Sequence, residues 1–354
     1  MKPSQRLKLE GSFLTEVYEQ PSVLGDCLAY YRDQETKLRH VLGREAPASV
    51  VFTGMGASLY ASLPAVYYLY QRGIAAHALE TAELVCYALP TLMPRDVLVL
   101  ISQSGETAEI RRLLSRLPRR HPRLIAVTNH PASTLGRRAD LVLPIHAGEQ
   151  HFASSKTYAA SLFVALLLAT LWGEGSLRRL LEGLAQSLDT YRRVLIQAHE
   201  QAVPLARIFR KPGSVVLLGR GPGLASALEG ALLFKEVCAL PAEGMTAAAL
   251  RHGPLELLSR PLTAILFAPP GFSRPLNRSL GRDLERHGAR LLWISSTALD
   301  LSRTRSFRLP RLTVPELLPV FEIVPLQCLT WALAEQLGRE PGRLRIASNV
   351  TLTE

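Results

Sequence analysis

The stretch Leu98-Val-Leu-Ile-Ser-Gln-Ser-Gly-Glu-Thr107 decides how this sequence is read. Asp96 to Ile101 is a short apolar run of the kind that forms a buried parallel strand. Ser102, Gln103, Ser104, Gly105 and Thr107 follow at once, and then a helical pattern of Ala108, Ile110, Leu113, Leu114 and Leu117. A strand that passes straight into a helix leaves unpaired amide donors at the helix N-terminus. Those donors and the helix dipole attract an anion, and the hydroxyls of Ser102, Ser104 and Thr107 add hydrogen bonds. The plain alternative is an N-cap, with Ser104 capping a helix whose first turn carries Glu106. One cap uses one hydroxyl, whereas this turn carries three and an amide, so phosphate binding is the expectation.

Around that stretch, strands and helices alternate. Strands are expected at Ser49–Phe52, Ala75–Leu79, Arg123–Thr128 and Ala139–Pro144, with helices at Leu59–Tyr70, Thr81–Leu89 and Ser154–Trp172. The rhythm restarts with a strand at Ser214–Leu218, a helix at Leu224–Cys238, a strand at Leu262–Ala268 and a helix at Pro275–His287. Ala289–Ser295 and Ser306–Leu309 read as further strands, and Pro315–Leu337 as a helix. Such βαβα order implies α/β architecture, a parallel sheet with helices on both faces in each half. Gly54-Met-Gly56 after the first strand is echoed by Gly219-Arg-Gly221, which reads as an internal duplication. Neither turn completes the Gly-x-Gly-x-x-Gly of a dinucleotide fold, although Glu80 stands where an acidic ribose ligand would. Before the first strand, residues 1–47 read as helices broken at Gln20-Pro21, and residues 175–210 as two amphipathic helices.

The chain of 354 residues has room for two domains, and its net charge of +11 raises the question of nucleic acid. The excess is mostly arginine and is scattered. Its densest cluster, Arg119-Arg-His-Pro-Arg123, has no interleaved aromatics to stack bases, so no nucleic-acid partner is expected. Cys27, Cys86, Cys238 and Cys328 are far apart and give neither a metal spacing nor a disulfide framework, which points to a reducing cytoplasm and no metal. The start has no signal-peptide pattern, and the apolar run Ala159–Trp172 is 14 residues, too short for a bilayer. No membrane association is expected.

Several motifs in order resemble one family: Glu16-Val-Tyr-Glu-Gln-Pro21, Gly56-Ala-Ser58, Ser102-Gln-Ser-Gly-Glu-Thr107, Ala153-Ser-Ser-Lys156, Ala227-Leu-Glu-Gly230, Lys235-Glu236 and Arg251-His-Gly-Pro254. They are similar to the isomerase half of glucosamine-6-phosphate synthase, a pair of sugar isomerase (SIS) domains. The resemblance runs from about Leu14 to the carboxyl terminus, and no counterpart of the glutaminase half is found. It implies two tandem SIS domains of flavodoxin-like, three-layer form at 48–178 and 179–338. A helical arm would occupy 1–47, and a tail over the site 339–354. It further implies that Ser58, Ser102, Gln103, Ser104 and Thr107 hold a sugar 6-phosphate, with Gly56, Ser154 and Lys156 beside the sugar. Glu236 would move a proton between C1 and C2, and His252 would assist ring opening. In the family that histidine comes from a neighbouring subunit, which implies a homodimer. No organic cofactor is implied.

The residue types suit the chemistry independently. Interconverting an aldose and a ketose phosphate needs a base for the proton α to a carbonyl and a second group for the hydroxyl protons. Against those roles, Glu236 reads as a solvated helix carboxylate paired with Lys235, and His252 as a loop histidine. The apolar run Ala231-Leu-Leu-Phe234 argues for partial burial of Glu236. Glu229 and Glu243 are weaker candidates for orienting the sugar. The sequence also departs from the pattern. The family forms an iminium through a tail lysine, where this chain has Ser348 and Asn349, and a second lysine is replaced by Leu233. Neither substitute forms a Schiff base, and Arg343 or Arg345 stays protonated. A glutamine-dependent synthase is therefore not expected. The expected activity is an isomerase or deaminase of a hexose or aminohexose 6-phosphate. The alternatives are a fructosamine-6-phosphate deglycase and a non-catalytic sugar-phosphate sensor.

Overall fold

The computed structural model of the chain describes residues 12–42, 47–209, 213–299, 301–302, 304–346 and 350–351. They fall into two compact units, each with its own parallel five-stranded sheet. One unit holds 20–150, 156–186 and the tail beyond Arg345; the other holds 12–19, His151–Ser155 and Ser187–Leu344.

The first sheet contains β1 (Ser49–Gly54), β2 (Ala75–Glu80), β3 (Val97–Ile101), β4 (Arg123–Thr128) and β5 (Leu141–Pro144), in the order β2-β1-β3-β4-β5. Every residue of β3 is buried, as a continuous Val-Leu-Val-Leu-Ile run requires of a central strand covered on both faces. β1 pairs with β3 from Val50 opposite Val97 to Thr53 opposite Leu100. The chain leaves β1 toward β2 and later returns to β1's other side, so β1 and β3 flank the topological switch point. Helices before and around this sheet are α1 (Phe13–Asp33), α2 (Glu35–Leu42), α3 (Ala57–Tyr70), α4 (Ala108–Arg116), α5 (Thr134–Arg138) and α6 (Lys156–Trp172). All 17 residues of α6 are buried, Lys156 included, and α6 packs against α3.

A long helix, α7 (Leu177–Ala206), leads into the second sheet. Its strands β6 (Ser214–Gly219), β7 (Glu243–Thr246), β8 (Leu262–Phe267), β9 (Arg290–Ser295) and β10 (Thr304–Arg308) take the order β10-β9-β8-β6-β7. That is the same winding as the first sheet, and it bears out the duplication. The helices here are α8 (Gly223–Cys238), α9 (Arg274–Arg286), α10 (Leu318–Glu322) and α11 (Val324–Gln336). Val216, Leu218, Leu266, Leu291 and Trp293 form the core on one side of this sheet with Leu280 and Leu284 of α9. The segment Pro315–Gln336 is long and apolar enough to cross a membrane, and nearly all of it is buried among other protein atoms, as in a core helix.

Three local expectations are corrected, and two short elements are added. The break at Gln20-Pro21 is absent: α1 runs through Pro21. Proline costs a helix interior about 3 kcal/mol, but Phe13, Leu14 and Val17 before it and Leu24, Leu28 and Tyr31 after it are all buried, and that burial outweighs the cost. The two helices expected across 175–210 are one, because Leu177, Leu181, Leu184, Tyr191, Leu195, Ala198 and Ala202 carry an unbroken helical stripe and are all buried. The helix expected over Pro315–Leu337 is a short 3-10 turn followed by α10 and α11, with Pro319 and Pro325 in the first turns of those helices. β7, with its sequence Glu-Gly-Met-Thr, and the short α5 were not anticipated.

Candidate functional site

Open α/β sheets hold ligands beyond the carboxyl ends of their strands, at the point where the winding reverses. In the first unit that point carries the β1–α3 turn, Gly54 to Ser58, and the β3–α4 turn, Ser102 to Thr107. The two turns lie close. A Cβ on Gly54 would stand 2.8 Å from the Ile101 carbonyl oxygen and 3.0 Å from Ser58 Cβ, so this position must stay a glycine. Gly56 takes φ +50°, a left-handed backbone that admits glycine at little cost.

The Ser102–Thr107 turn is tied down from below. Ser102 N donates to the Val127 carbonyl at 3.0 Å, Asn129 N to the Gln103 carbonyl at 3.1 Å and Leu135 N to the Gly105 carbonyl at 3.1 Å. Within the turn, Gly105 N donates to Ser102 Oγ at 3.1 Å and Glu106 N to Ser104 Oγ at 3.2 Å. Since both hydroxyl oxygens accept, their protons remain available to donate. Thr107 occupies the N-cap position of α4, yet its side chain makes no capping bond. The amides of Gln103, Ser104 and Thr107 have no acceptor among the described residues, whereas Ala108 N is taken by the Thr351 carbonyl of the tail at 3.0 Å. The N-cap position is thus Thr107 and not Ser104, although the Ser104 hydroxyl still holds the Glu106 amide, and a cluster of open donors remains. Gly105 has φ +65°, and a Cβ there would stand 2.7 Å from Ser133 Cβ.

No cation of the turn is left over. Arg111 donates to Glu106 Oε2 at 2.9 Å, and Glu106 Oε1 also accepts from Thr134 N at 2.6 Å. Those hydrogen bonds, the Thr134 backbone first, hold the Glu106 carboxyl below the usual carboxylate range. The turn is a neutral cradle of amides and hydroxyls at a helix N-terminus, which suits a phosphate. A cavity of about 530 Å³ adjoins it, lined by Ser104, Glu106, Asn129, His130, Ser133 and Val350 among others. Asn129, His130 and Ser133 had not been singled out as site residues. The readable signal was a polar, proline-containing turn, Asn129-His-Pro-Ala-Ser-Thr134, directly after the strand next to β3.

Of the remaining sequence candidates, Lys156 is buried at the start of α6 in this unit, and Ser154 belongs to the other unit. The other unit also holds Glu229, Glu236, Glu243 and His252. Glu229 and Glu236 are two turns apart on α8 and so share a face. Burial pushes the Glu236 carboxyl up to about 7 against the opposing pull of Lys235. Glu229 is fully buried, neither of its carboxylate oxygens has a hydrogen-bond partner among the described residues, and burial together with the Glu236 charge raises it well above the carboxylate range. Leu233 lies between them at 0 % exposure. His252 is exposed at the end of the Ala249–Arg251 turn, just before Gly253 at φ +115°. Glu243 is exposed at the start of β7. Ser348 and Asn349 lie outside the described residues. Among the described residues no group of His, Cys, Asp or Glu is arranged to hold a metal ion.

The model of the SIS domain matches the chain twice, over residues 44–171 and 208–333. Over 377 aligned positions the chain is 30 % identical to glutamine–fructose-6-phosphate aminotransferase (isomerizing) of a Synechocystis species, covering 96 % of this chain and 59 % of that protein. The chain therefore spans a little under three-fifths of that relative's length. Among solved structures, it is similar to the C-terminal domain of glucosamine-fructose-6-phosphate aminotransferase from Francisella tularensis, with TM-score 0.81 and 21 % identity over 95 % of this chain and 99 % of that one. It is also similar to glucosamine-6-phosphate deaminase from Thermotoga maritima, with TM-score 0.77 and 21 % identity over 96 % and 99 %.

Proposed function

This chain belongs to the SIS domain family, and from that premise we propose that it binds a hexose or aminohexose 6-phosphate and acts on it as an aldose–ketose isomerase or an aminosugar-phosphate deaminase. The observation that carries the reading is the Ser102–Thr107 turn, with three amides that have no acceptor among the described residues and two serine hydroxyls whose protons are free to donate, at a sheet's switch point. The turn grips the terminal phosphate, assisted by Ser58. Gly56, Ser154 and Lys156 adjoin the sugar. The relative named for fructose 6-phosphate and the neighbour named for glucosamine 6-phosphate support this substrate class.

In this reading Glu236 takes the proton from the carbon α to the carbonyl and returns it to the neighbouring carbon. A carboxyl held near 7 is half-ionised at neutral pH, so it can both accept and release a proton. His252 moves the hydroxyl protons of ring opening, and its exposure within one chain suits delivery to a second copy in a homodimer. The four cysteines are unpaired, which fits the cytoplasm. The test is Glu236→Gln, with fructose 6-phosphate and glucosamine 6-phosphate as ligands. Deuterium exchange at C2 should be lost while binding of the phosphosugar persists; undiminished exchange refutes the assignment. Release of the amine from an N-substituted fructosamine 6-phosphate would instead identify the deglycase. One observation favours the sensor reading: at Leu233 and at Ser348-Asn349 the sequence supplies no amine for covalent work. Phosphosugar binding without turnover across the panel is the result that reading requires.

A further inference from the structure

The second sheet has an opening of its own at the corresponding end. By strand order, β6, β8, β9 and β10 stand where β1, β3, β4 and β5 stand in the first. A cavity of about 430 Å³ lies there, bounded by Ser296 just after β9, by the end of β10 from Arg308 to Arg311, and by one face of α7 that includes Arg193 and Gln197. Three arginines, Arg193, Arg308 and Arg311, line it, and among the described residues no carboxylate does.

Some other arginines of this unit are ion-paired: Arg192 with Asp189, Arg251 and Arg286 with Asp283, and Arg343 with Glu340. Arg308 and Arg311 have no ion-pair or hydrogen-bond partner among the described residues. Arg193 has one, Nη2 donating to Thr190 Oγ1 at 2.7 Å. Cations that line one cavity without a counter-ion repel one another, and an anion bound there relieves that repulsion. Ser296 is 3 % exposed, and its side chain has no hydrogen-bond partner among the described residues. Buried Val194 and Leu309 give the cavity an apolar wall.

We infer that this cavity is a second anion site, built for a small organic diphosphate of the nucleoside-diphosphate kind. Guanidinium forks bind phosphate oxygens in pairs, and three of them supply enough donors for two linked phosphate groups. The volume lies in the range that holds a ligand of that size, and the apolar wall accepts a flat ring. The cavity also differs in kind from the Ser102–Thr107 turn, which holds its anion with neutral donors, so the two sites are separable by mutation.

The test is calorimetric titration of the full chain with ADP, and with inorganic phosphate as the single-phosphate arm. ADP should bind with a Kd on the order of micromolar and at least about ten-fold more tightly than inorganic phosphate. The pair Arg308→Ala with Arg311→Ala, and Arg193→Ala separately, should each weaken ADP by about ten-fold or more, and Ser104→Ala should leave it unchanged. Circular dichroism of the variants checks that they fold, and Arg193→Ala, on α7 rather than at the strand end, gives an independent reading. The proposal is overturned if ADP gives no heat at millimolar concentration, if inorganic phosphate binds as tightly, or if the arginine variants bind like the parent. It is equally overturned if a DNA duplex displaces ADP at equal concentration, which would assign the arginines to nucleic acid.

Discussion

Replacing Gly105 by alanine tests the phosphate turn at its most constrained point. Two costs add. The backbone at φ +65° is left-handed, and a side chain there costs about 1–2 kcal/mol. The new methyl would also stand 2.7 Å from Ser133 Cβ and 3.2 Å from Leu135 Cβ, and overpacking of that kind costs about 1–3 kcal/mol. Gly105→Ala should therefore destabilise the protein by about 2–5 kcal/mol in urea titrations. The two parts separate in a Ser133→Gly background, where the closest obstruction is gone and glycine still serves as a tolerable N-cap for α5. There Gly105→Ala should cost only the backbone part, about 1–2 kcal/mol. Binding of fructose 6-phosphate should weaken in both backgrounds, because the displaced Gly105 and Glu106 amides no longer fix the Ser102 and Ser104 hydroxyls. A cost below about 0.5 kcal/mol would refute the reasoning altogether. An equal cost in the two backgrounds would refute the packing part.

Further tests address the turn's hydroxyls and the buried acids. Ser104→Ala should weaken fructose 6-phosphate about five- to ten-fold, the loss of one hydrogen bond to a charged group, and cost about 1 kcal/mol of stability because the Glu106 amide loses its acceptor; unaltered affinity excludes this hydroxyl from the site. If Glu236 is the base, C2 exchange should rise with pH through about 7 as the carboxyl ionises, and a flat profile from pH 5 to 9 would count against it. Glu322 is fully buried, with Oε2 accepting from Ser226 at 2.9 Å and Oε1 without a partner among the described residues, and burial lifts it from 4.5 to about 7. The folded chain thus keeps a proton that the unfolded chain gives up. This group's contribution is full below about pH 4.5 and is lost as the pH rises through 7, a swing of up to about 3 kcal/mol. Glu322→Gln should flatten that part of the urea-midpoint profile between pH 5 and 8; an unchanged slope would show that Glu322 ionises freely in the folded state.

Legibility in the sequence followed burial. β1, β3, β4, β6, β8 and β9 are continuous apolar runs because each is covered on both faces, and their winding followed from the alternation with helices. β7 escaped because an edge strand of Glu-Gly-Met-Thr, none of it fully buried, carries no apolar signature. Pro21 and the single α7 were misread for the opposite reason: local breaker rules were applied where a continuous buried stripe decides the outcome. In the site, the serines were visible because hydroxyls between a strand and a helix have few structural uses. Which amides stay open was not visible, since it depends on partners such as Val127, Leu135 and Thr351 that are brought in by the fold. The Arg193, Arg308 and Arg311 cluster was hidden within a general excess of arginine, because α7 and β10 are far apart in the chain.

α6 has a consequence for how the chain is made. A helix with no solvent-facing side cannot be half-assembled at low cost: until every wall around Lys156–Trp172 is in place, a band of Ala, Leu, Phe and Trp faces water. During synthesis that band emerges before any residue of the second sheet has been translated. Nascent chains caught at that stage expose the same sticky surface to one another, so yield on expression is governed by how fast the first unit closes over α6 and by how crowded the growing chains are.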